Sequence, residues 1–255
     1  ARLVAAGHDV TGVHLALNRN PQPYREGSRG CCSLEDAHDA RRAADLLDIP
    51  FYVWDFSEQF QAEVVDDFIA EYRAGRTPNP CLRCNASKPD SYDICFIPDG
   101  DTQGYLRAHL GETPGPIVDR SGTELGRHRG HHGFTIGQRK GLDLRVPAPD
   151  GNPRYVLRIE PAGNRVVVGP GESLLVTNLA GIRPTWTQHR VPGSWRGQVQ
   201  YRAHGAALSA TITTTGDDQV RVELDEPTRG VAPGQSMVFF DATRVVGSAT
   251  ISGTS

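Results

Sequence analysis

The chain carries two cysteines in a short proline-rich stretch, Gly75-Arg-Thr-Pro-Asn-Pro-Cys-Leu-Arg-Cys-Asn85. Its prolines predict an extended loop after a helix, which would expose the thiols of Cys81 and Cys84 at the loop edge. A Cys-x-x-Cys pair is typical of half a zinc site, of a redox pair, or of a nucleophile beside a second ligand. Zinc is the least favoured of these, because the sequence offers no second Cys-x-x-Cys and Cys31-Cys32 is too cramped for paired ligation.

A third cysteine, Cys95, lies in the short apolar run Ile94-Cys-Phe-Ile97, which predicts a strand. On this pattern alone a buried core cysteine is favoured over a catalytic one. Five cysteines in 255 residues are too sparse for a disulfide-stapled secreted domain. The sequence also shows no signal peptide and no apolar run of bilayer length, so we expect a cytoplasmic protein with no membrane partner.

A basic stripe between Arg120 and Arg145 is a second candidate site. Its glycines keep the backbone close to a bound group, so the stripe predicts phosphate contacts. The alternative, a solvated loop in an arginine-rich protein, is equally compatible with these residues. The formal net charge of −3 excludes a protein that coats nucleic acid indiscriminately. The basic residues of the stripe are Arg127, His128, Arg129, His131, His132, Arg139, Lys140 and Arg145.

Polar side chains at predicted strand ends form a third candidate site. They occur in Tyr201-Arg202-Ala-His204 and in Pro233-Gly-Gln235-Ser. Small barrels bind single-stranded RNA and loops at such places through stacking and polar contacts.

Three regions must position these residues. Residues 1–98 alternate between helix and strand, with strands at Val10–Leu15 and Pro50–Phe56 and helices at Leu34–Leu47 and Ser57–Tyr72. This rhythm predicts a layered α/β domain with a parallel sheet. Residues 99–163 are rich in Gly, Pro, His and Arg and predict a small connecting α+β domain.

Residues 164–255 change to short β-type runs separated by turn residues, which predict a small antiparallel barrel. The six runs are Arg165–Val168, Gly197–Ala203, Ala207–Thr214, Gln219–Leu224, Ser236–Asp241 and Arg244–Ile251.

The start of the chain has the pattern of the last turns of a helix that ends at Gly7. We therefore expect a strand and a turn before Ala1. A second gap is expected near Asn85-Ala-Ser-Lys88, where the α/β pattern stops without a completing element.

Several segments, taken in order, closely resemble one family, the bacterial tRNA-specific 2-thiouridylases (MnmA). The resemblance implies an N-terminal PP-loop domain of the adenine nucleotide alpha hydrolase type, a central tRNA-binding domain and a C-terminal β-barrel. It also implies a Ser-Gly-Gly-Val-Asp-Ser phosphate loop before Ala1 and a further segment after Asn85. The matching segments are Ala70–Pro80 with Cys84-Asn85, Lys88-Pro-Asp-Ser with Ile94-Cys-Phe-Ile, Thr135-Ile-Gly-Gln-Arg-Lys-Gly-Leu142 and Pro233-Gly-Gln-Ser236.

The family chemistry that this resemblance implies has two stages. ATP, with Mg²⁺, adenylates the C2 oxygen of the wobble uridine in tRNAs for Lys, Glu and Gln. A persulfide on Cys95, loaded by a persulfide donor or a cysteine desulfurase, then delivers sulfur to C2. Cys84 attacks the persulfide and leaves a Cys84–Cys95 disulfide, which requires two thiols that can approach each other.

The resemblance also implies roles for residues outside the thiol pair. Leu15 is expected to touch adenine, whereas Cys81 differs from the acid that many relatives carry at its position. A [4Fe-4S] cluster on Cys81, Cys84 and Cys95 is therefore an alternative sulfur carrier. The residues expected to bind the target base or tRNA are Asn79, Pro80, Cys81, Arg139, Lys140, Tyr201, Arg202 and Gln235.

Two rival functions remain open from the sequence. One is an adenylating enzyme similar to argininosuccinate synthetase, which would share the phosphate loop but need no paired cysteines. The other is a non-catalytic RNA-binding module in which the basic stripe and barrel are functional and the cysteines are incidental.

Overall fold

The computed structural model describes residues 1–17, 34–80, 94, 96–97, 99–144, 151–187, 193–202, 205–216 and 218–255. Their contacts divide the chain into two units. Unit 1 comprises residues 1–68 and 80–105, and unit 2 comprises residues 69–79 and 106–255. The short segment 69–79 therefore packs with residues that follow it far along the chain.

Unit 1 is built on a parallel pair of strands, as the helix–strand rhythm predicts. The pairing runs from Gly12 opposite Phe51 to Ala16 opposite Asp55. The helix between the strands packs on the first strand, where Ala44 is buried beside Gly12. The first elements of the chain are α1 (Arg2–Ala5), β1 (Gly12–Ala16), α2 (Leu34–Leu46), β2 (Phe51–Asp55), α3 (Ser57–Phe60), a π-helical turn (Gln61–Val65) and α4 (Asp66–Arg73).

An aromatic cluster anchors the stretch around Cys95 within unit 1. The ring of Phe96 packs edge-on against Phe68 at 5.2 Å and Phe60 at 6.1 Å, and lies 5.7 Å from Tyr105. The strand predicted at Ile94–Ile97 is wrong for the described residues, because the amide of Ile97 donates to the carbonyl of Ile94 (2.9 Å) in a turn. The turn lets Phe96 and Ile97 both enter the core, which a strand with alternating faces would not.

The central region contains α5 (Thr102–Leu110) and a mixed sheet. Within the described residues the sheet has the strand order β4-β3-β6-β5, with β3 and β6 parallel and the other pairs antiparallel. Its core includes Ile117, Val156, Val166 and Val168. The strands are β3 (Gly115–Val118), β4 (Glu124–His128), β5 (Tyr155–Glu160) and β6 (Arg165–Gly169).

The assignment of Arg165–Val168 to the barrel is wrong. This run is part of β6, which pairs with β3 and β5 in the central sheet. A 3₁₀ turn at Pro161–Gly163, followed by Asn164 at φ 47°, reverses the chain between β5 and β6. Because this turn is tight, Arg165–Val168 pairs with β5 as a hairpin and therefore belongs to the central sheet.

The C-terminal region is a closed antiparallel barrel, as predicted. Its described strands follow the order β10-β7-β12-β11-β8-β9, and β10 pairs with β9 to close it. The side chain of Phe239 fills one end, stacked on Trp186 at 5.6 Å and edge-on to Trp195 at 6.4 Å. The strands are β7 (Val176–Trp186), β8 (Ser194–Gln200), β9 (Leu208–Thr214), β10 (Gln219–Thr228), β11 (Ser236–Asp241) and β12 (Arg244–Thr254).

Strand β7 is the barrel strand that the sequence patterns missed. It contains Gly181 and Pro184, both of which are unfavourable in strands. Gly181 is required here, because a Cβ at this position would collide with the side chains of Met237 and Val220 in the barrel core.

In the described part of the chain, no helix has the length and apolar character needed to cross a membrane.

Candidate functional site

The loop that leads to the cysteine pair starts from a rigid helix end. Gly75 adopts φ 72° after α4, and a Cβ at this glycine would collide with Ile159 and Pro161. The guanidinium of Arg76 donates from Nε and Nη2 to the two carboxylate oxygens of Glu71, at 2.6 and 2.7 Å. Because Glu71 is buried, this bidentate pair both satisfies its charge and fixes the first residue of the loop.

Thr77 joins this loop to two other parts of unit 2. Its backbone N–H donates to the carbonyl oxygen of Pro233 in the barrel, at 2.8 Å. Its hydroxyl lies 3.3 Å from the hydroxyl of Thr135 in the central region. Gly234 approaches so closely that its Cβ would lie 2.9 Å from the Thr77 nitrogen. Three of the segments that carry the family resemblance therefore meet at Thr77.

The turn from Thr135 to Lys140 is held by its own glutamine. The side-chain oxygen of Gln138 accepts from the amide of Thr135 (3.0 Å), and its side-chain nitrogen donates to the carbonyl of Lys140 (2.9 Å). Gly137 supplies the positive φ that the turn needs. Arg139 and Lys140 are exposed at its tip, so the turn presents two cations on a fixed backbone.

The barrel places a third cation, Arg202, beside this turn. A Cβ at Gly137 would lie 3.4 Å from the Cα of Gly230. Arg202 donates from Nη2 to the carbonyls of Gly230 (3.1 Å) and Arg229 (3.2 Å), and its guanidinium lies over the Tyr201 ring at 5.4 Å. The stripe residues and the strand-end residues, predicted as separate sites, thus form one surface.

Tyr201 and Gln235 are also held by specific bonds. The Tyr201 hydroxyl lies 2.7 Å from the hydroxyl of Thr228 and donates to the carbonyl of Arg229 (3.3 Å). The side-chain oxygen of Gln235 accepts from the amide of Ala232 (3.1 Å). Gln235 is therefore a constituent of the turn that contacts Thr77, a role that the sequence patterns did not indicate.

Not all predicted site residues lie on this surface. Leu15 is on β1 in unit 1 with 46% of its surface exposed, and Pro80 is buried in unit 1. Asn79, at the end of the loop in unit 2, is exposed. Among the described residues, no group of three or more His, Cys, Asp or Glu side chains is arranged to hold a metal ion. The predictions for Cys31, Cys32, Cys81, Cys84, Cys95, Lys88-Pro-Asp-Ser, Arg145 and His204 lie outside the described residues.

Two histidines of the basic stripe are not available for phosphate. His128 and His132 are 5% and 6% exposed. Burial lowers the pKa of His128, whose Nε2 bonds to the Asn164 carbonyl (3.2 Å) and whose Nδ1 has no hydrogen-bond partner among the described residues. Burial is also the main cause that lowers the pKa of His132, with further contributions from His131 and Arg107. Both side chains are structural. Only their burial, which the sequence did not reveal, distinguishes them from the exposed basic residues of the stripe.

His131 has a different role, which the sequence also did not indicate. Its Nε2 lies 3.0 Å from the carbonyl oxygen of Arg73, the last residue of α4. Its Nδ1 lies 3.1 Å from the side-chain oxygen of Asn164, whose nitrogen donates to the carbonyls of Thr113 and Pro114. His131 therefore connects the end of α4 to the central sheet.

The buried histidines predict a pH dependence of stability. With a lowered pKa in the folded state, each binds fewer protons than in the unfolded chain, so stability falls as the pH drops below the ordinary histidine value of 6.5. We expect the free energy of unfolding in urea to be lower at pH 5.5 than at pH 7.5. Replacing both His128 and His132 by glutamine should flatten this difference.

The matched control for this measurement is His8, an exposed histidine near the start of the chain. A His8→Gln variant should keep the full difference in unfolding free energy between the two pH values. The assignment would be wrong if the double variant and the control showed the same pH dependence.

Comparisons with known proteins give the class to which this multidomain chain belongs, that of tRNA-modifying proteins. Residues 1–87 match the model described as tRNA methyl transferase HUP domain. Residues 103–170 match the tRNA methyl transferase PRC-barrel domain, and residues 176–251 match the aminomethyltransferase beta-barrel domain.

Comparison with similar proteins identifies the family within this class. The chain is 49% identical to the tRNA-specific 2-thiouridylase MnmA of Cutibacterium acnes, over 100% of this chain and 92% of the relative. It is 46% identical to that of Acidothermus cellulolyticus (100% and 93%) and 45% to that of Streptomyces avermitilis (100% and 91%). The chain belongs to the tRNA-specific 2-thiouridylase (MnmA) family, whose members are tRNA sulfurtransferases.

Proposed function

We propose that this protein uses ATP to replace the C2 oxygen of the wobble uridine of tRNA with sulfur, in the cytoplasm. The observation that carries the proposal is the meeting of three segments at Thr77. The loop toward Cys81 and Cys84, the turn bearing Arg139 and Lys140, and the barrel turn at Pro233 occupy one surface. Exposed cations on a surface that also holds Thr77, four residues before Cys81 in the sequence, suit a reaction on a polynucleotide.

The proposed chemistry starts with ATP and tRNA as substrates. The C2 oxygen attacks the α-phosphorus of ATP, so that an O–P bond forms and pyrophosphate leaves, with Mg²⁺ as the expected partner of the phosphates. The terminal sulfur of a Cys95 persulfide then attacks C2. The C2–O bond breaks, and AMP leaves with the oxygen.

The last step releases the thiolated base. The Cys84 thiolate attacks Sγ of Cys95 and breaks its bond to the transferred sulfur, which stays on C2. A Cys84–Cys95 disulfide forms, and an external thiol reductant must reopen it. The sulfur donor is a persulfide carrier or a cysteine desulfurase, and the substrates are tRNAs for Lys, Glu and Gln.

The described residues have binding roles in this proposal. Asn79 and Pro80 line the place of the flipped base, with Cys81 next to them, and Leu15 contacts adenine. The other contacts are made to the anticodon region of the tRNA. They come from Arg139, Lys140, Tyr201, Arg202 and Gln235.

Replacing Arg139 and Lys140 by alanine is expected to weaken tRNA binding without altering its sequence preference. Each lost phosphate contact should reduce the slope of log Kd against log salt by about 1. The measurement is filter binding of the same tRNA across a salt series. The control is Arg221→Ala, an exposed arginine seven positions before Thr228 on β10, which should leave the slope unchanged. Equal slopes for both variants would remove the turn from the tRNA interface.

The function itself is tested by incubating the chain with tRNA, ATP and a persulfide source, followed by mass spectrometry of the digested nucleosides. We expect 2-thiouridine that depends on ATP. The mass separates a thiolated from a methylated nucleoside, which matters because two matching family models carry a methyl transferase description. ATP consumption without modified tRNA would favour an adenylating enzyme, and tRNA binding without ATP consumption would favour an RNA-binding module.

A [4Fe-4S] cluster on Cys81, Cys84 and Cys95 is the alternative sulfur carrier. All three cysteines lie outside the described residues. Visible absorbance of anaerobically purified protein, recorded before the assay, separates the alternatives. Activity from a colourless protein supports the persulfide, whereas activity that follows a brown colour supports the cluster.

A further inference from the structure

The loop before the cysteine pair has no regular secondary structure of its own, yet its backbone is fixed at Thr77. This residue is two positions before Asn79 and four before Cys81. The N–H of Thr77 donates to the Pro233 carbonyl at 2.8 Å, and its hydroxyl lies 3.3 Å from that of Thr135. One backbone hydrogen bond therefore connects the C-terminal barrel directly to the loop.

The barrel turn that accepts this bond is itself rigid. The amide of Gly234 donates to the carbonyl of Ile251 (2.8 Å), and the amide of Ile251 donates to that of Gln235 (2.7 Å), so the turn is tied to β12. The side-chain oxygen of Gln235 closes it by accepting from the amide of Ala232. Movement of Pro233 thus requires movement of the barrel wall.

The contact also has a steric requirement. Gly234 has φ 93°, and a Cβ on it would lie 2.9 Å from the nitrogen and 3.0 Å from the carbonyl carbon of Thr77. These are backbone atoms, so no rotamer change relieves the conflict. Any side chain at position 234 must displace either the turn or the loop.

The other end of the loop is fixed as well. Arg76 is held by the buried Glu71, and the carbonyl of Arg73 lies 3.0 Å from His131. Because Arg73 and Arg76 are both fixed, a displacement at Thr77 is expected to pass forward along the chain, toward Asn79.

We propose that Pro233 and Gly234 are positioning residues, through which the C-terminal barrel sets the place of the segment Thr77–Asn79, which ends at the proposed base-binding residue Asn79. This role rests on the proposed function. It gives the barrel a part in the chemical step that is separate from its contacts with tRNA.

The test is Gly234→Ala, with Gly122→Ala as its matched control. Gly122 has nearly the same φ (91°) but nothing within 4 Å of its Cβ position, so it carries the backbone strain without the collision. Single-turnover thiolation at saturating tRNA should slow about a hundredfold in Gly234→Ala, as expected for a small misplacement of a reacting group. The tRNA Kd and the thermal midpoint should match those of Gly122→Ala.

Hydrogen exchange at the Thr77 amide supplies a readout besides activity. The amide should be protected in the wild type and in Gly122→Ala, and exchange faster in Gly234→Ala. If Gly234→Ala does not fold, Gln235→Ala removes the side-chain acceptor that closes the barrel turn, and single-turnover thiolation at saturating tRNA should fall about fivefold.

Three outcomes would overturn the proposal. If the wild type is active and the two glycine variants turn over equally fast, the positioning role alone is overturned. An unprotected Thr77 amide in the wild type would also overturn only that role. An inactive wild-type chain would overturn the proposed function and this role with it.

Discussion

Replacing Cys95 by serine is expected to lower tRNA thiolation by at least about a thousandfold, the scale of loss when a covalent nucleophile is removed. A serine hydroxyl cannot form the proposed persulfide, whereas the substitution leaves the residues proposed to bind ATP and tRNA in place. The measurement is 2-thiouridine formed per minute, with tRNA affinity determined on the same preparation. Unchanged affinity with no product is the expected result.

The residues that follow the proposed nucleophile Cys95 in the sequence are fixed in the unit 1 core. Phe96 packs against Phe60, Phe68 and Tyr105, and Ile97 is 1% exposed. A reacting group beside an anchored backbone is expected to lose little entropy when it reaches a reacting position.

The other cysteines make the experiment specific. Cys84→Ser should also abolish turnover, because no thiol then releases the thiolated base from Cys95. Cys32→Ser should retain activity and is the matched control. If Cys81→Ser also loses 2-thiouridine formation, together with the visible absorbance of the protein, the [4Fe-4S] cluster is indicated. Full 2-thiouridine formation by Cys95→Ser would contradict both proposed sulfur carriers.

Periodicity predicted much of the fold because the buried faces are regular. On β11 the core residues Met237 and Phe239 alternate with less buried neighbours, and β8 to β12 were all found from such runs. The strand predictions failed where a local sequence feature opposed the pairing of the strands in the folded chain. Gly181 and Pro184 concealed β7, and a short turn assigned β6 to the central sheet.

The candidate site was predicted as separate segments but not as one surface. Thr77, Thr135 and Pro233 occur in three distant motifs, and only the tertiary fold brings them into contact. Burial likewise divides the basic stripe, because Arg139 is exposed whereas His128 lies in the core. Neither contact nor burial follows from residue type and spacing alone.

Replacing Phe239 by alanine is expected to reduce the free energy of unfolding of the barrel by about 3–5 kcal/mol. The side chain is fully buried, and its loss would leave a cavity between Trp186 and Trp195 that the closed sheet cannot collapse to fill. Because small domains are stable by about 5–15 kcal/mol in all, the variant should be partly unfolded near physiological temperature.

The matched control is Phe240→Ala, the next residue on β11, which is only partly buried on the opposite face of the strand. Urea unfolding followed by tryptophan fluorescence reports on the barrel, because Trp186 and Trp195 both contact the Phe239 ring, and the control should lose clearly less stability. Since Pro233 and Gly234 belong to the barrel, Phe239→Ala should also lose thiolation and Thr77 amide protection over the same urea range as the fluorescence change. Thiolation that survived barrel unfolding would show that the loop keeps its place without the barrel.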